Sequence, residues 1–93
     1  MFQWDSGNIN KNLKHRVQDW EIEEALLDPL ALRTKRMEVG GEVRYELLGR
    51  AQTSGKYLRV IYTLRQDAEG NSLIRPISAV EMTPAQRRRY QRR

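Results

Sequence analysis

Arginine side chains recur in two stretches of the chain whose apolar and polar residues alternate. Arg59 and Arg65 share one alternation row, and Arg44 lies in the preceding stretch. The planar guanidinium group binds phosphate through two parallel hydrogen bonds and keeps its charge at physiological pH. Since alternate residues of a strand point to the same face, these arginines could converge on one sheet face and bind phosphate. The alternative is that they pair with nearby carboxylates and solvate that face; those carboxylates are Glu42, Glu46 and Glu81.

A second basic cluster lies at the C terminus. The chain has 17 Lys and Arg against 12 Asp and Glu, and the whole excess of +5 lies on five arginines. These are Arg87, Arg88, Arg89, Arg92 and Arg93. Such a cluster raises the local potential enough to attract phosphates or an acidic partner. The alternative is a solvated helix end, where the helix dipole favours cations, but five arginines exceed what the dipole needs.

Two further side chains suit nucleic-acid chemistry. His15 is the single histidine, and an imidazole exchanges protons near neutral pH, which suits a general acid or base; it could equally cap a helix C terminus. Tyr57 shares the row of Arg59 and Arg65 and could stack on a base. With one histidine and no cysteine, neither a multi-histidine nor a thiolate metal site can form, so we expect no metal and no other cofactor.

Length and composition indicate one domain over residues 1–93. Hydrophobic residues make up 39% of the sequence and charged residues 31%, as in a soluble globular domain. A chain of this size buries only about two-thirds of its unfolded surface, so the core must be small. No apolar run reaches the roughly 18 residues of a spanning helix, and the first residues lack a signal-peptide pattern. We therefore expect no membrane association and a cytoplasmic location.

Apolar spacing predicts two N-terminal helices. Asp5 is a candidate N-cap for the first, in which Ile9, Leu13 and Val17 recur four residues apart. Asp19 is a candidate N-cap for the second. The second helix is predicted to bury Ile22, Ala25 and Leu26, to expose Glu21, Glu23 and Glu24, and to end at Asp28 and Pro29.

The remaining pattern predicts an antiparallel sheet of three to four strands. A first strand is expected over residues 30–36 and a break at Gly40 and Gly41; further strands are expected over 42–47, 57–65 and 73–82. In the 57–65 strand, Leu58, Val60, Tyr62 and Leu64 are expected on one face. Pro76 cannot donate a ladder hydrogen bond, which predicts an edge strand or a bulge.

The last element has a clear start signal. Thr83 as N-cap, Pro84 at the first helical position and Gln86 at the third form a capping box, which predicts a basic C-terminal helix. Two helices, a sheet and one further helix make an α+β architecture.

A series of landmarks spans residues 2–90 in fixed order. They are Phe2, Trp4, Asp5, Asn12, Lys14, His15, Val17, Asp28, Pro29, Tyr62, Thr63, Arg65, Ile74, Arg75, Ile77, Ser78, Ala79 and Arg87 to Tyr90. The order and spacing together resemble the BrnT family, the toxin half of a bacterial type II toxin–antitoxin pair. Members of that family are small ribonucleases of RelE-like fold.

The resemblance implies a function and a set of site residues. It implies metal-independent cleavage of RNA that inhibits translation, and neutralisation by a BrnA-like antitoxin that itself contacts DNA. The strongest catalytic candidates are Arg65 and Arg75, which lie at family landmarks and would flank one hairpin, together with His15 as proton carrier. Less natural proton carriers are Glu46, Glu81, Tyr62 and Tyr90. The expected RNA-binding residues are Lys14, Arg44, Tyr57, Arg59, Arg87 and Arg88.

The sequence also departs from the family pattern. Asn8 stands where a lysine is usual, and Val80 stands where many members carry an arginine after the Ser-Ala pair. If that arginine contacts the scissile phosphate, its absence weakens activity. The alternative function is therefore a catalytically degenerate binding module within an antitoxin–DNA repressor complex.

Overall fold

A computed structural model describes residues 1–92, and Arg93 lies outside the described residues. The chain forms, in order, α1 (Asp19–Leu26), β1 (Leu32–Val39), β2 (Glu42–Arg50), β3 (Tyr57–Gln66), β4 (Ser72–Glu81) and α2 (Pro84–Arg92). The four strands make one antiparallel sheet in the order β1-β2-β3-β4, so each strand pairs with its neighbour in sequence. The predicted α+β architecture with an antiparallel sheet and a C-terminal helix is confirmed.

One face of the sheet carries α1 and the core. The core consists of Val17, Ile22, Ala25, Ala51, Leu58, Val60 and Ala79. Gly49 lets the helix approach β2 closely, because a Cβ there would lie 2.3 Å from the carbonyl oxygen of Ala25. Of the four β3 residues predicted to share one face, Leu58, Val60 and Tyr62 are buried and Leu64 is exposed. The 8 residues of α1 span about 12 Å, whereas the 10 residues of β3 span about 33 Å. The strand therefore extends beyond the part of the sheet that α1 covers.

The prediction of two N-terminal helices is wrong. Residues before α1 form successive turns and a single 3₁₀ turn at Leu13–His15. Asn10 and Arg16 adopt left-handed backbone angles with φ of 56° and 62°, which interrupt an α-helix. Ile9 and Leu13 are consequently 47% and 44% exposed instead of forming a buried stripe.

Side-chain hydrogen bonds hold this N-terminal segment against the edge of β4. The Asn8 side-chain amide donates to the carbonyl oxygen of Pro76 at 2.9 Å, and the Asn12 side-chain oxygen accepts from the Ala79 N–H at 3.0 Å. Both asparagines are buried. These contacts join residues far apart in sequence, which explains why a short-range apolar period mispredicted the segment.

The start of α1 also differs from the prediction. The N-cap is Gln18, not Asp19, and its backbone N–H donates to the side chain of Glu21 at 2.8 Å. Glu21 was expected to be exposed but is only 1% exposed. Its carboxylate accepts from Lys56 Nζ at 3.1 Å, so a cation compensates the burial of the charge.

The first strand begins later than predicted. Asp28 accepts from the N–H of Leu30 through its side chain and from the N–H of Ala31 through its carbonyl oxygen. This turn keeps residues 28–31 out of the sheet, so β1 covers Leu32–Val39 instead of 30–36. Gly40 and Gly41 form the predicted break, with φ of 58° and 80°.

The two remaining local predictions are confirmed. Pro76 lies in the edge strand β4, next to a register shift opposite Ile61 and Tyr62. At the start of α2, Thr83 Oγ1 accepts from the N–H of Gln86 at 3.1 Å, and the Gln86 side chain accepts from the N–H of Thr83 at 3.0 Å. Both bonds of the capping box are present.

The C-terminal helix packs on the opposite face of the sheet, at the Tyr57 end of β3. Tyr90, the buried residue of α2, meets the Tyr57 ring edge-on at 5.7 Å between centroids. Its hydroxyl donates to the Asp28 carboxylate at 2.5 Å. Asp28 also accepts from the N–H of Arg50 at 2.8 Å, so one carboxylate joins α2, β2 and the turn after α1.

Candidate active site

Three arginines converge on the sheet face that carries α2, at the end of this face that is far from α2. Register pairs Arg44 of β2 with Thr63 of β3, and Thr63 with Arg75 of β4, so these residues form one row across the sheet. Arg65 lies two residues beyond Thr63 and points to the same side. Together they line an open cleft of about 260 Å³, whose walls are Gly7, Asn8, Glu42, Arg44, Arg65, Arg75, Pro76 and Ile77. Of the three arginines predicted to converge, Arg44 and Arg65 line this cleft and Arg59 does not; Arg75, predicted to flank the hairpin with Arg65, also lines it.

Glu42 links two of these arginines. One carboxylate oxygen accepts from Arg44 Nε at 3.0 Å and the other from Arg65 Nη2 at 2.7 Å. The hydrogen bond from Arg44 is the largest influence on the pKa of Glu42 and lowers it; burial opposes this, but the hydrogen bond from Arg65 and the charges of both arginines keep the pKa below its ordinary value. The side chain is therefore a carboxylate at neutral pH, and it is 29% exposed to the cleft.

Arg75 is more fully engaged than Arg44 or Arg65. Its two terminal nitrogens donate to the two Asp5 carboxylate oxygens at 2.8 and 3.1 Å, and one also donates to Gln3 at 3.2 Å. The Arg75 hydrogen bond is the main reason that the pKa of Asp5 is lowered. Gly7 passes close by, because a Cβ there would lie 2.9 Å from Arg75 Nη2. Arg75 thus fixes the N-terminal segment against β4 while forming one wall of the cleft.

Arg59 lies outside the cleft. Its Nε donates to Glu46 at 2.8 Å, and Glu46 also accepts from Thr34 Oγ1 at 2.6 Å. Burial raises the pKa of Glu46, but the hydrogen bonds from Thr34 and Arg59 outweigh it, so this pKa lies below its ordinary value. Pairing with Glu42, Glu46 and Glu81 was the expected alternative to phosphate binding. Such pairs are observed between Arg59 and Glu46 and between Glu42 and both Arg44 and Arg65.

The remaining expected RNA-binding residues lie away from the cleft. The Arg87 guanidinium lies 3.9 Å from the centre of the Tyr57 ring, and Arg50 lies 5.4 Å from it. With Tyr90 also against this ring, a base would have to displace a guanidinium group to stack on Tyr57. Tyr57 and Arg65 are separated by about 26 Å along β3. Arg88 is exposed on α2.

Lys14 and His15 are exposed at the 3₁₀ turn that precedes α1, and neither lines the cleft. Tyr62, another candidate proton carrier, is buried in the opposite row and stacks on Tyr45 at 5.4 Å. The Tyr90 hydroxyl donates a hydrogen bond to Asp28. None of the proton carriers expected from the sequence lines the arginine cleft; they are His15, Glu46, Glu81, Tyr62 and Tyr90.

The sequence interpretation missed the part that Glu42 and Asp5 play. Glu42 was noticed only as a possible counter-ion, although its spacing of two residues from Arg44 predicts that both point to one face of a strand. No local signal joins Asp5 to Arg75, since 70 residues separate them. Asn8, at the position where a lysine is usual in the resembled family, lines the cleft with a neutral amide.

The described residues offer neither a metal site nor a membrane-spanning helix. Within residues 1–92, no group of three or more His, Asp or Glu side chains is placed to hold a metal ion. No helix in the same range is both long and apolar enough to cross a bilayer.

The fold and cleft define a class: a small α+β domain with an arginine-lined cleft on one sheet face. Comparison with protein families makes this more specific. The family model described as "Ribonuclease toxin, BrnT, of type II toxin-antitoxin system" matches residues 4–86. The chain therefore belongs to the BrnT family of type II toxin–antitoxin ribonuclease toxins, as its landmarks indicated. A search of curated proteins found no matching relative.

Proposed function

We propose that this chain is the toxin of a type II pair and acts as a metal-independent endoribonuclease of RelE-like fold in the bacterial cytoplasm. It would inhibit translation by cutting RNA. A BrnA-like antitoxin would neutralise it, and the toxin would be linked to DNA only indirectly, through that antitoxin. Family membership supports the ribonuclease class. The observation that carries the site is the convergence of Arg44, Arg65 and Arg75 on one open cleft.

The cleft suits a reaction in which RNA supplies its own nucleophile. In that reaction the 2′ hydroxyl attacks the adjacent phosphorus, and the protein must hold the phosphate and stabilise the added negative charge. Arg65 and Arg44 each give only one N–H to Glu42, so their other N–H groups can bind the nonbridging oxygens. Arg75 keeps the wall in position and contributes positive charge. This chemistry needs no metal.

Residues outside the cleft receive secondary roles in the proposal. Arg87 and Arg88 extend the cationic surface and attract flanking phosphates, with Tyr57 beneath Arg87. Lys14 and His15 offer an exposed basic pair at the N-terminal edge. A direct catalytic part for His15 requires RNA to reach from the cleft to that edge. A His15→Ala variant that cleaves at the wild-type rate would remove it from the mechanism.

A second candidate function is a degenerate binding module without catalysis. Two observations favour it. Val80 pairs with Arg59 in the sheet, so the face lacks the arginine that many family members have there. In addition, each cleft arginine already pairs with a carboxylate. Such a module would bind antitoxin and contribute to a repressor complex without cutting RNA.

Cleavage of mixed cellular RNA by the purified chain in EDTA separates the two functions. The proposal expects cleavage in EDTA, no requirement for added magnesium, and products ending in a 2′,3′-cyclic phosphate and a 5′ hydroxyl. Cleavage should be lost in the Arg65→Ala variant and in the Arg65→Ala, Arg75→Ala double variant. Arg36→Ala, which removes an exposed arginine of β1, is the matched control.

Circular dichroism must show that each variant is folded, because Arg75 also anchors the N-terminal segment. Cleavage only with magnesium, or 5′-phosphate products, would contradict the proposed chemistry. Intact RNA with folded wild type, and cleavage gained on Val80→Arg, would establish the degenerate module instead.

A further inference from the structure

Transfer of RNA's 2′ hydroxyl proton needs a base within hydrogen-bond reach of the bound phosphate. Among the described residues, Glu42 is the one acidic side chain that lines the arginine cleft. Glu46 lies deeper, 5% exposed, between Thr34 and Arg59. Asp5 lies outside the cleft wall and is bound by both terminal nitrogens of Arg75. Position alone therefore selects Glu42 from the carboxylates of this face.

The Glu42 carboxylate also has acceptor capacity left. A carboxylate offers about four lone-pair positions. Two are occupied, one by Arg44 Nε and one by Arg65 Nη2. A substrate hydroxyl can therefore bind without breaking either ion pair. Because Arg44 and Arg65 both contact Glu42, a phosphate held by these two guanidinium groups would bring the 2′ oxygen of the preceding nucleotide close to the carboxylate.

We propose that Glu42 is the general base of this ribonuclease, an inference that rests on the function proposed above. The Glu42 carboxylate takes the proton of the 2′ hydroxyl while the 2′ oxygen forms a bond to phosphorus. The bond from phosphorus to the 5′ oxygen breaks, its electron pair stays on that oxygen, and solvent water supplies the proton. The products are a 2′,3′-cyclic phosphate and a 5′ hydroxyl, and Glu42 returns its proton to solvent.

The charges around Glu42 change in the direction this role requires. In the free protein it faces Arg44 of β2, Arg65 of β3 and Arg75 of β4, and it is ionised at neutral pH. The bound phosphodiester of RNA carries one negative charge and offsets part of that positive charge. The pKa of Glu42 then rises toward its ordinary value, so the carboxylate becomes a stronger base once RNA is bound.

The competing interpretation is that Glu42 only occupies the arginines and must be displaced by phosphate. Glu42→Gln separates the two, because it removes the base and the competing charge together. As general base, Glu42 predicts a single-turnover cleavage rate about 100-fold or more lower in the variant. As competitor, it predicts equal or faster cleavage. Glu38→Gln makes the same charge change on the neighbouring strand and should cleave like wild type.

The assay uses one mixed-sequence RNA oligonucleotide at saturating protein, across a range of pH. Affinity is measured separately with the same sequence carrying 2′-O-methyl groups, which cannot be cleaved by this route. We expect Glu42→Gln to bind this probe as tightly as wild type or more tightly. We also expect the rise of the wild-type rate with pH on the acid side to disappear in the variant, which a purely structural role would not cause.

The outcomes distinguish the two proposals. Wild-type cleavage together with undiminished Glu42→Gln cleavage overturns the role of Glu42 and leaves the ribonuclease standing. Absence of wild-type cleavage overturns both. Glu42→Asp keeps the carboxylate on a shorter side chain, and it should retain the pH-dependent limb at a reduced rate. Loss of that limb in a folded Glu42→Asp variant would also count against the proposal.

Discussion

The hydrogen bond from Tyr90 to Asp28 gives a stability prediction that can be worked through. The Tyr90 hydroxyl donates to the Asp28 carboxyl group at 2.5 Å, and both side chains are buried, so water does not replace this bond when it is removed. Removing one such bond costs on the order of 1.5–3 kcal/mol. For a domain of this size each kcal/mol shifts the melting temperature by roughly 4–8 °C. A loss of about 2 kcal/mol thus lowers it by roughly 8–16 °C.

The perturbation is Tyr90→Phe, measured by thermal unfolding followed by circular dichroism. Tyr45→Phe is the matched control, because no hydrogen bond joins the Tyr45 hydroxyl to any of residues 1–92. Asp28→Ala should destabilise more than Tyr90→Phe, since it also removes the acceptor of the Arg50 and Leu30 N–H groups.

Limited trypsin digestion gives a second, local measurement. The helix α2 is rich in arginine and is anchored to the domain through Tyr90. We expect Tyr90→Phe to increase cleavage within residues 84–92 more than cleavage elsewhere, because the helix detaches more often. If Tyr90→Phe and Tyr45→Phe have the same melting temperature, and α2 of Tyr90→Phe is no more sensitive to trypsin than that of wild type, the reasoning is refuted.

Three further stability predictions follow from the packing. Gly49→Ala places a methyl group 2.3 Å from the carbonyl oxygen of Ala25, so urea unfolding should show a loss of about 1–3 kcal/mol. Thr83→Ala removes the acceptor of the α2 capping box and should cost about 1 kcal/mol in the same assay. Burial raises the pKa of Glu46, but the hydrogen bonds from Thr34 and Arg59 lower it by more, so it lies below the ordinary 4.5. Its contribution to stability is therefore complete above that pH and lost as pH falls through the lowered value, and Glu46→Gln should weaken this acid dependence.

Local patterns predicted the part of the fold whose causes are local. The alternation in β3 predicted which side of the strand carries Tyr57, Arg59 and Arg65, because strand geometry alone fixes it. The Thr83 capping box was correct for the same reason, since both partners lie within one helical turn. The apolar spacing of Ile9, Leu13 and Val17 failed because distant bonds from Asn8 and Asn12 determine that segment.

The candidate site was predictable to the same extent. The convergence of Arg44 and Arg65 follows from strand alternation and from pairing of consecutive strands. The engagement of Arg75 by Asp5 depends on how the N terminus runs beside β4, which no local pattern encodes. His15 was selected by its chemistry and by the family resemblance, neither of which fixes where its side chain lies; it is in the 3₁₀ turn and does not line the cleft.

The position of Val80 bears on whether this copy is active. Val80 pairs with Arg59, six residues or about 20 Å along β3 from Arg65. An arginine at position 80 would therefore lie near the pair of Arg59 and Glu46, and its absence leaves the cations of the cleft unchanged. A phosphate site near Arg59 would therefore be affected by the residue at position 80, whereas catalysis at the cleft would not. Activity that depends on Arg65 but not on Arg59 locates the chemistry at the cleft, where the substitution at position 80 removes nothing.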